Sequence, residues 1–159
     1  MQKKLISFVK YNKFVLSLYR FFGNMLVGLI ALFTIIRKKR ILFMSFGGQK
    51  YDDSPRVLYE KMKNDPFFKD YEFIWAFREP SKFQLDCNVV KADTFKFYKA
   101  ALSSGMWITN SSVERGLKLR RKKIIEINSW HGTPLKKMGN DIQENHSFRN
   151  KNKKKGVRI

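Results

Sequence analysis

Residues 124–139 read IIEINSWHGTPLKKMG, and this stretch decides how the chain is interpreted. Three β-branched residues, Ile124, Ile125 and Ile127, precede a polar turn containing Gly and Pro. That order predicts a buried strand ending near Trp130, with a loop thrown from its carboxyl end. In open α/β sheets that edge is where ligands sit. His131, one of only two histidines in the chain, heads the loop. An imidazole there can stay neutral at physiological pH and take a proton from a substrate hydroxyl. The bland alternative is a histidine that caps a helix or closes a turn. Lys136 and Lys137 follow where a helix would start, a place where cations and free N–H groups hold phosphate. On residue type alone they fit a solvated face equally well. Thr133 can donate to a phosphate or cap the next helix, and Gly132 and Gly139 can be turn residues only.

Working backwards, Ile41 to Phe46 reads as a short buried strand, and Gly47-Gly48 permits a sharp turn or close approach to a ligand. Two glycines alone make a weak phosphate-loop signal. Ser54-Pro55 predicts a helix start, with Ser54 or Asp53 as cap and Val57, Leu58 and Met62 as the apolar face. The helix ends at Asn64-Asp65-Pro66. Tyr71 to Phe77 reads as a second strand and Asn88 to Val90 as a weaker third. Thr94 to Leu102 has helical spacing, and Met106 to Thr109 is a fourth strand. Asn110 and Ser111 then fall at the same sheet edge as His131 and become candidates to line a cleft. Tyr51 is either a surface residue or a ligand contact. Strands alternating with helices imply an α/β fold, a Rossmann-like parallel sheet with covering helices.

The chain has 159 residues, enough for one domain with a substantial core. With 33 Lys+Arg against 13 Asp+Glu, its formal charge of +20 attracts polyanions: nucleic acid, anionic lipid or a phosphate polymer. The single cysteine, Cys87, rules out an internal disulfide and a cysteine metal cluster, and fits a reducing compartment. No His, Cys or carboxylate pair has metal-ligand spacing, so no metal is expected. His146 stands in a polar, charged tail and is taken as incidental.

Residues 1–40 are expected to form amphipathic, apolar membrane-anchoring helices. Lys3, Ser7, Lys10, Lys13, Ser17, Arg20 and Asn24 recur at helical spacing on an otherwise apolar segment. An uncharged run from Phe21 to Ile36 would extend about 24 Å as a helix, short of a bilayer core of roughly 30 Å. Arg37-Lys38-Lys39-Arg40 follows, suited to anionic headgroups. The favoured reading is an anchor lying in the membrane interface. A short or tilted span, a signal peptide lacking a cleavage site, and a buried helical hairpin are the alternatives. Residues 41–145 would form the α/β domain, and 146–159, rich in lysine, a disordered tail.

The run Trp130-His131-Gly132-Thr133-Pro134-Leu135-Lys136-Lys137 with Gly139 resembles a signature of the CDP-glycerol glycerophosphotransferases, bacterial enzymes that build teichoic acids and related polyol phosphate chains. The block Ser45 to Arg56, SFGGQKYDDSPR, with Leu58-Tyr59-Glu60, is similar to a second segment of that family. The resemblance implies the N-terminal, acceptor-side half of a two-domain glycosyltransferase of the B type. It implies His131 as the base that deprotonates the acceptor hydroxyl. That oxygen then attacks the β-phosphorus of CDP-glycerol and releases CMP. Gly47, Gly48, Tyr51, Asn110, Gly132, Thr133, Lys136 and Lys137 are the implied substrate-binding positions. Phosphoryl transfer depends mainly on positioning and charge stabilisation, so a basic pocket with one placed base is chemically sufficient.

No cofactor is expected beyond a CDP-glycerol or CDP-ribitol donor substrate. The expected partners are an anionic membrane surface at the cytoplasmic face and a lipid-linked or poly(polyol phosphate) acceptor. A donor domain with a second histidine is not recognisable in the sequence. The chain therefore reads as the front part of a longer enzyme, with the CDP-polyol engaged only when a C-terminal domain is supplied. The alternative is a non-catalytic, membrane-bound acceptor-binding module that works with a separate donor domain. A nucleic-acid-binding protein is a remote third reading, supported by charge alone; no recognition motif accompanies it.

Overall fold

A computed structural model describes residues 13–130 except 115 and 120. His131, Gly132, Thr133, Lys136, Lys137 and the expected tail lie outside the described residues, as do the first twelve positions. Five parallel strands form one sheet in the order β3-β2-β1-β4-β5. They are β1 (Arg37–Met44), β2 (Glu72–Phe77), β3 (Asn88–Lys91), β4 (Ser104–Thr109) and β5 (Ile125–Asn128). The helices are α1 (Lys13–Leu32), α2 (Asp53–Asn64) and α3 (Phe95–Ser103). The strand order reverses between β1 and β4, which makes their carboxyl ends the topological switch point of a Rossmann-like sheet.

The alternation of residues along β1 divides the core into two layers. Leu42 and Met44 face one side with Ile74, Ala76 and Trp107, covered by Phe97, Ala100 and Ala101 of α3 and by Val27 and Ile30 of α1. Ile41 and Phe43 face the other side with Trp75, Phe77 and Ile108, covered by α2 through Tyr59, Leu58 and Met62. This second layer is aromatic: Phe43 stacks on Trp75 at 5.4 Å, Trp75 on Phe77 at 5.3 Å, and Phe77 on Phe83 at 4.1 Å. Val57, expected on the apolar face of α2, is 52% exposed; Tyr59, 2% exposed, takes the central position.

The first cap also differs from expectation. Asp52, not Ser54, is the N-cap of α2 and accepts from the Asp53 amide. Pro55 is buried one turn inside the start.

Three further expectations are corrected. β1 begins at Arg37, so the Arg37–Arg40 cluster belongs to the sheet and not to the preceding helical segment. Its cations meet carboxylates of the β2 region: Arg37 lies 3.6 Å from Glu72 and Lys39 3.2 Å from Asp70. Arg40 makes a two-pronged pair with Glu72, its Nε and Nη2 donating at 2.8 and 2.9 Å. Second, among the described residues β5 is an edge strand of the sheet and not a buried one. Ile124, just before it, is buried, but Ile125 and Ile127 are 59% and 41% exposed. An apolar run alone does not distinguish a central strand from an edge whose outer side is uncovered.

Third, α1 is a helix with two apolar faces. Val27 and Ile30 are built into the core, each contributing about 1.5–3 kcal/mol of transfer free energy. The Asn24 side-chain oxygen accepts from the Lys118 amide at 2.8 Å, and the Thr34 carbonyl accepts from Arg121 at 2.7 Å. Asn24, which the periodicity placed on an outward polar stripe, faces the domain instead.

Close approach of β1 and β4 is permitted by Gly105. A Cβ there would stand 2.8 Å from the Lys38 Cα and 2.9 Å from the Arg37 carbonyl oxygen, both backbone atoms that cannot swing away. The ladder between these strands also shifts register between Arg37 and Ile41. Gly105→Ala is therefore expected to destabilise the domain by about 1–3 kcal/mol. Urea unfolding of the variant beside the parent protein measures this, and an unchanged midpoint would contradict it.

Candidate functional site at the carboxyl edge of the sheet

The switch point is held by the side chains of Asn110 and Ser111, the two residues after β4, gripping the backbone that leaves β1. Phe46, Gly47 and Gly48 all have positive φ, at 47°, 62° and 81°. Such a run is costly for Phe46 and persists only where surrounding bonds fix it. Asn110 and Ser111 fix it. The Phe46 amide donates to Asn110 Oδ1 at 2.7 Å, and the Gly47 amide to Ser111 Oγ at 2.9 Å. The Gly48 amide closes the turn onto the Ser45 carbonyl at 2.9 Å. Asn110 is fully buried, and its Nδ2 donates to Asp53 Oδ2 at 2.7 Å and to Ser45 Oγ at 3.4 Å. Asp53 is itself left-handed, with φ of 63°.

This arrangement revises two sequence expectations. Asn110 has both ends of its amide engaged by protein, so it positions the turn and does not line a cleft. Gly47 and Gly48 have their N–H groups occupied, so the turn offers no phosphate cradle of amides. Their contribution is conformational and steric. A Cβ on Gly48 would meet the Ala76 oxygen and the Arg78 nitrogen at 3.2 Å, and φ of 81° already excludes most side chains.

Tyr51 lies elsewhere. Its ring packs edge-on against Trp75 at 5.0 Å, its hydroxyl donates to Glu60 at 3.3 Å, and Arg56 sits over its face at 5.3 Å. Burial, reinforced by the Glu60 carboxylate, pushes its phenol up to about 12, so it is a neutral donor at physiological pH. With Tyr59, Lys63 and Asp86 it lines a separate cavity of about 230 Å³ beside α2.

The end of β5 is tied to the same stretch at the end of β4. The Ser129 amide donates to the Thr109 carbonyl at 2.9 Å, and Asn128 Nδ2 donates to the Ser111 carbonyl at 3.2 Å. Trp130 follows with φ of 52° and 64% exposure. The described residues thus end with Trp130 at the carboxyl edge, next to β4.

Sequence reasoning missed the basic side chains on the other flank. Arg78, immediately past β2, donates its amide to the Gly48 carbonyl at 2.7 Å and its Nε to the Gly47 carbonyl at 3.1 Å. Lys50 lies 5.1 Å above the Phe46 ring. The available signal was a charge directly following the carboxyl end of the YEFIWAF strand.

Removing the Asn110 amide takes the Oδ1 acceptor from the Phe46 N–H and one of its donors from Asp53, which keeps the Ser54 amide. Asn110→Ala is expected to cost about 1–3 kcal/mol. Denaturant titration reads the loss, and retention of full stability would refute the positioning role.

Comparison with known proteins agrees with this geometry. Residues 26–158 match the family described as CDP-glycerol:poly(glycerophosphate) glycerophosphotransferase. A teichoic acid poly(glycerol phosphate) polymerase of Staphylococcus epidermidis is 34% identical over 110 residues, which cover 68% of this chain and 15% of that protein. The corresponding polymerase of Bacillus spizizenii is 27% identical over 149 residues, covering 92% of this chain and 36% of that protein. A solved structure of the wall teichoic acid polymerase TagF, a histidine variant soaked with CDPG, superposes with a TM-score of 0.67 at 32% identity. It covers 74% of this chain and 29% of the solved one. The chain therefore spans about a third or less of the length of these relatives. By its match over most of its length, the chain belongs to the CDP-glycerol:poly(glycerophosphate) glycerophosphotransferase family.

Proposed function

We propose that this chain is the acceptor-side half of an enzyme that transfers glycerol phosphate from CDP-glycerol to a membrane-linked teichoic-acid acceptor. The observation that carries this reading is the convergence of β1, β4 and β5 at one edge. The hydrogen bonds of Thr109 and Ser111 bring the Gly47 turn and the end of β5 together at Asn128 and Ser129, two residues before His131. In the proposed reaction His131 accepts the proton of the acceptor's terminal hydroxyl. The oxygen forms a bond to the β-phosphorus of CDP-glycerol as the bond from that phosphorus to the CMP oxygen breaks, and CMP departs. Gly132, Thr133, Lys136 and Lys137 are the proposed contacts to the phosphates in that loop. A ribitol phosphate donor fits the same chemistry on this side of the cleft.

The proposal extends to the membrane. Among the described residues one helix, Phe14–Leu32, is long and apolar enough to cross a bilayer. Its inner face is nevertheless bonded to the domain through Asn24, Val27, Ile30 and the Gly23–Leu117 contact. A spanning helix would have to give up those contacts. Its outer face carries Leu18, Phe22, Met25 and Leu29, each about half exposed, and Phe33 at 88%. An apolar stripe on a helix docked to a basic domain suits the cytoplasmic interface of an anionic membrane.

Two experiments test these statements. In a complete enzyme carrying this chain in place of its own equivalent segment, His131→Ala should remove CMP release while CDP-glycerol binding by calorimetry persists. Unchanged turnover would eliminate His131 as the base. In vesicle flotation, the full chain should float with anionic vesicles, and the variant Leu18→Gln/Phe22→Gln/Leu29→Gln should remain at the bottom with its melting transition intact. Equal flotation of the two would remove α1 as the anchor.

A further inference from the structure

Cations on β1 and those around the carboxyl ends of β1 and β2 differ in their partners. At the sheet's amino edge Arg37, Lys39 and Arg40 each meet a carboxylate. At its carboxyl edge, on the β1–β2 side, Lys50 and Arg78 have no carboxylate partner among the described residues. Lys82 pairs with Glu79 at 2.7 Å, and Lys91 at the end of β3 is near enough to help hold the Glu79 carboxyl below its usual range, behind the larger effect of Lys82. Between these residues lies a cavity of about 310 Å³ lined by Gly48, Gln49, Arg78, Glu79, Lys82 and Phe83.

Two walls of the cavity are fixed by packing. Phe83 stacks on the buried Phe77 at 4.1 Å and forms one wall. Gly48 forms another, and any side chain there would collide with the end of β2. Arg78 is oriented by the bond from its Nε to the Gly47 carbonyl, which uses one of five guanidinium donors. Both Nη groups are without a partner among the described residues. A guanidinium fixed at Nε with two Nη groups available is suited to grip a phosphodiester with two parallel bonds. The preorganisation matters because little side-chain entropy is lost on binding.

The position of the cavity carries the inference further. From β5, whose end leads into His131, to β2 there are three strand spacings, or about 14 Å at roughly 4.8 Å each. An extended peptide advances about 3.5 Å over three bonds, so a six-bond glycerol phosphate repeat advances about 7 Å. Two repeats therefore match the separation. The geometry points to the Arg78–Lys82 cavity as a subsite for an acceptor phosphodiester about two repeats behind the reacting terminus. Lys50 and Lys91 add to its field. The inference rests on the acceptor reading proposed above. It adds to that reading a register: the enzyme measures a short length of polyol phosphate chain along the sheet edge.

The test is a binding titration of the full chain in detergent micelles. The probes are glycerol 3-phosphate, oligo(glycerol phosphate)s of two to five repeats, inorganic phosphate, and vesicles containing anionic lipid. NMR shifts of the Arg78 side-chain Nε and the Gly48 amide provide the site-specific readout. Affinity is expected to rise about tenfold once the oligomer reaches three repeats, with both signals moving. Arg78→Gln should abolish that rise and leave glycerol 3-phosphate binding unchanged, and Arg78→Lys should restore part of it. Lys61→Gln, which removes one charge from the last turn of α2, should behave as the parent chain. Affinity independent of length and of Arg78 would overturn the subsite while leaving the acceptor reading in place. Equal weakening by Arg78→Gln and Lys61→Gln would also overturn it, by assigning the effect to the general field. Vesicles that shift the Arg78 signal where oligomers do not would give the cavity to lipid headgroups instead. If no oligomer binds at any length, the acceptor reading itself fails, and the subsite falls with it.

Discussion

The buried amide of Asn110 is the constraint on which the functional edge depends. A parallel sheet leaves a gap where its winding direction reverses, and the backbone leaving β1 must turn there without a ladder partner. Three consecutive left-handed residues make that turn, and left to itself the Phe46 conformation would relax. Asn110 spends its oxygen on the Phe46 amide and its nitrogen on Asp53, tying three segments distant in sequence to one point. Because Asn110 itself is fully buried, its end of each bond is costly to leave unmade. The shape of the turn at the switch point is thus set by a residue buried beneath it.

Around that point the chain sorts its charge. The formal charge of +20 describes the amount of cation but not its disposition. Paired cations at the amino edge help hold β1 to the β2 region, with Arg40 the best sheltered of them. At the carboxyl edge Lys50 and Arg78 are without a carboxylate partner among the described residues. A single composition therefore has two expressions, ion pairs that hold strands together at one end and a positive field at the other.

Much of this was legible in the sequence. The alternation of strands and helices, the turn after Phe46 and the approach to His131 all follow from period, branching and turn residues. So does the family, through the motif around His131 and the block from Ser45 to Arg56. What was not legible depends on contacts between distant segments. Asn110 looked like a cleft residue because its place at a strand end was readable and its burial was not. Tyr51 sits in a motif but turns toward Trp75 and Glu60 because the aromatic layer under α2 has room for it. Arg37–Arg40 had the composition of a headgroup-binding cluster, and only the partners Asp70 and Glu72, more than thirty positions later, show it to be sheet. The exposure of Ile125 and Ile127 was hidden for the same reason: an edge is a property of the assembled sheet.

The two-faced character of α1 has a thermodynamic consequence. Its inner residues are part of the core, so the helix presents its outer stripe only while the domain is folded. Any apolar surface that takes up Leu18, Phe22 and Leu29 binds the native chain in preference to the unfolded one. By mass action such a surface is a stabilising ligand of the whole fold, shifting the unfolding equilibrium in proportion to its affinity. A lipid bilayer in that position would act as a chaperone for the sheet as well as an address.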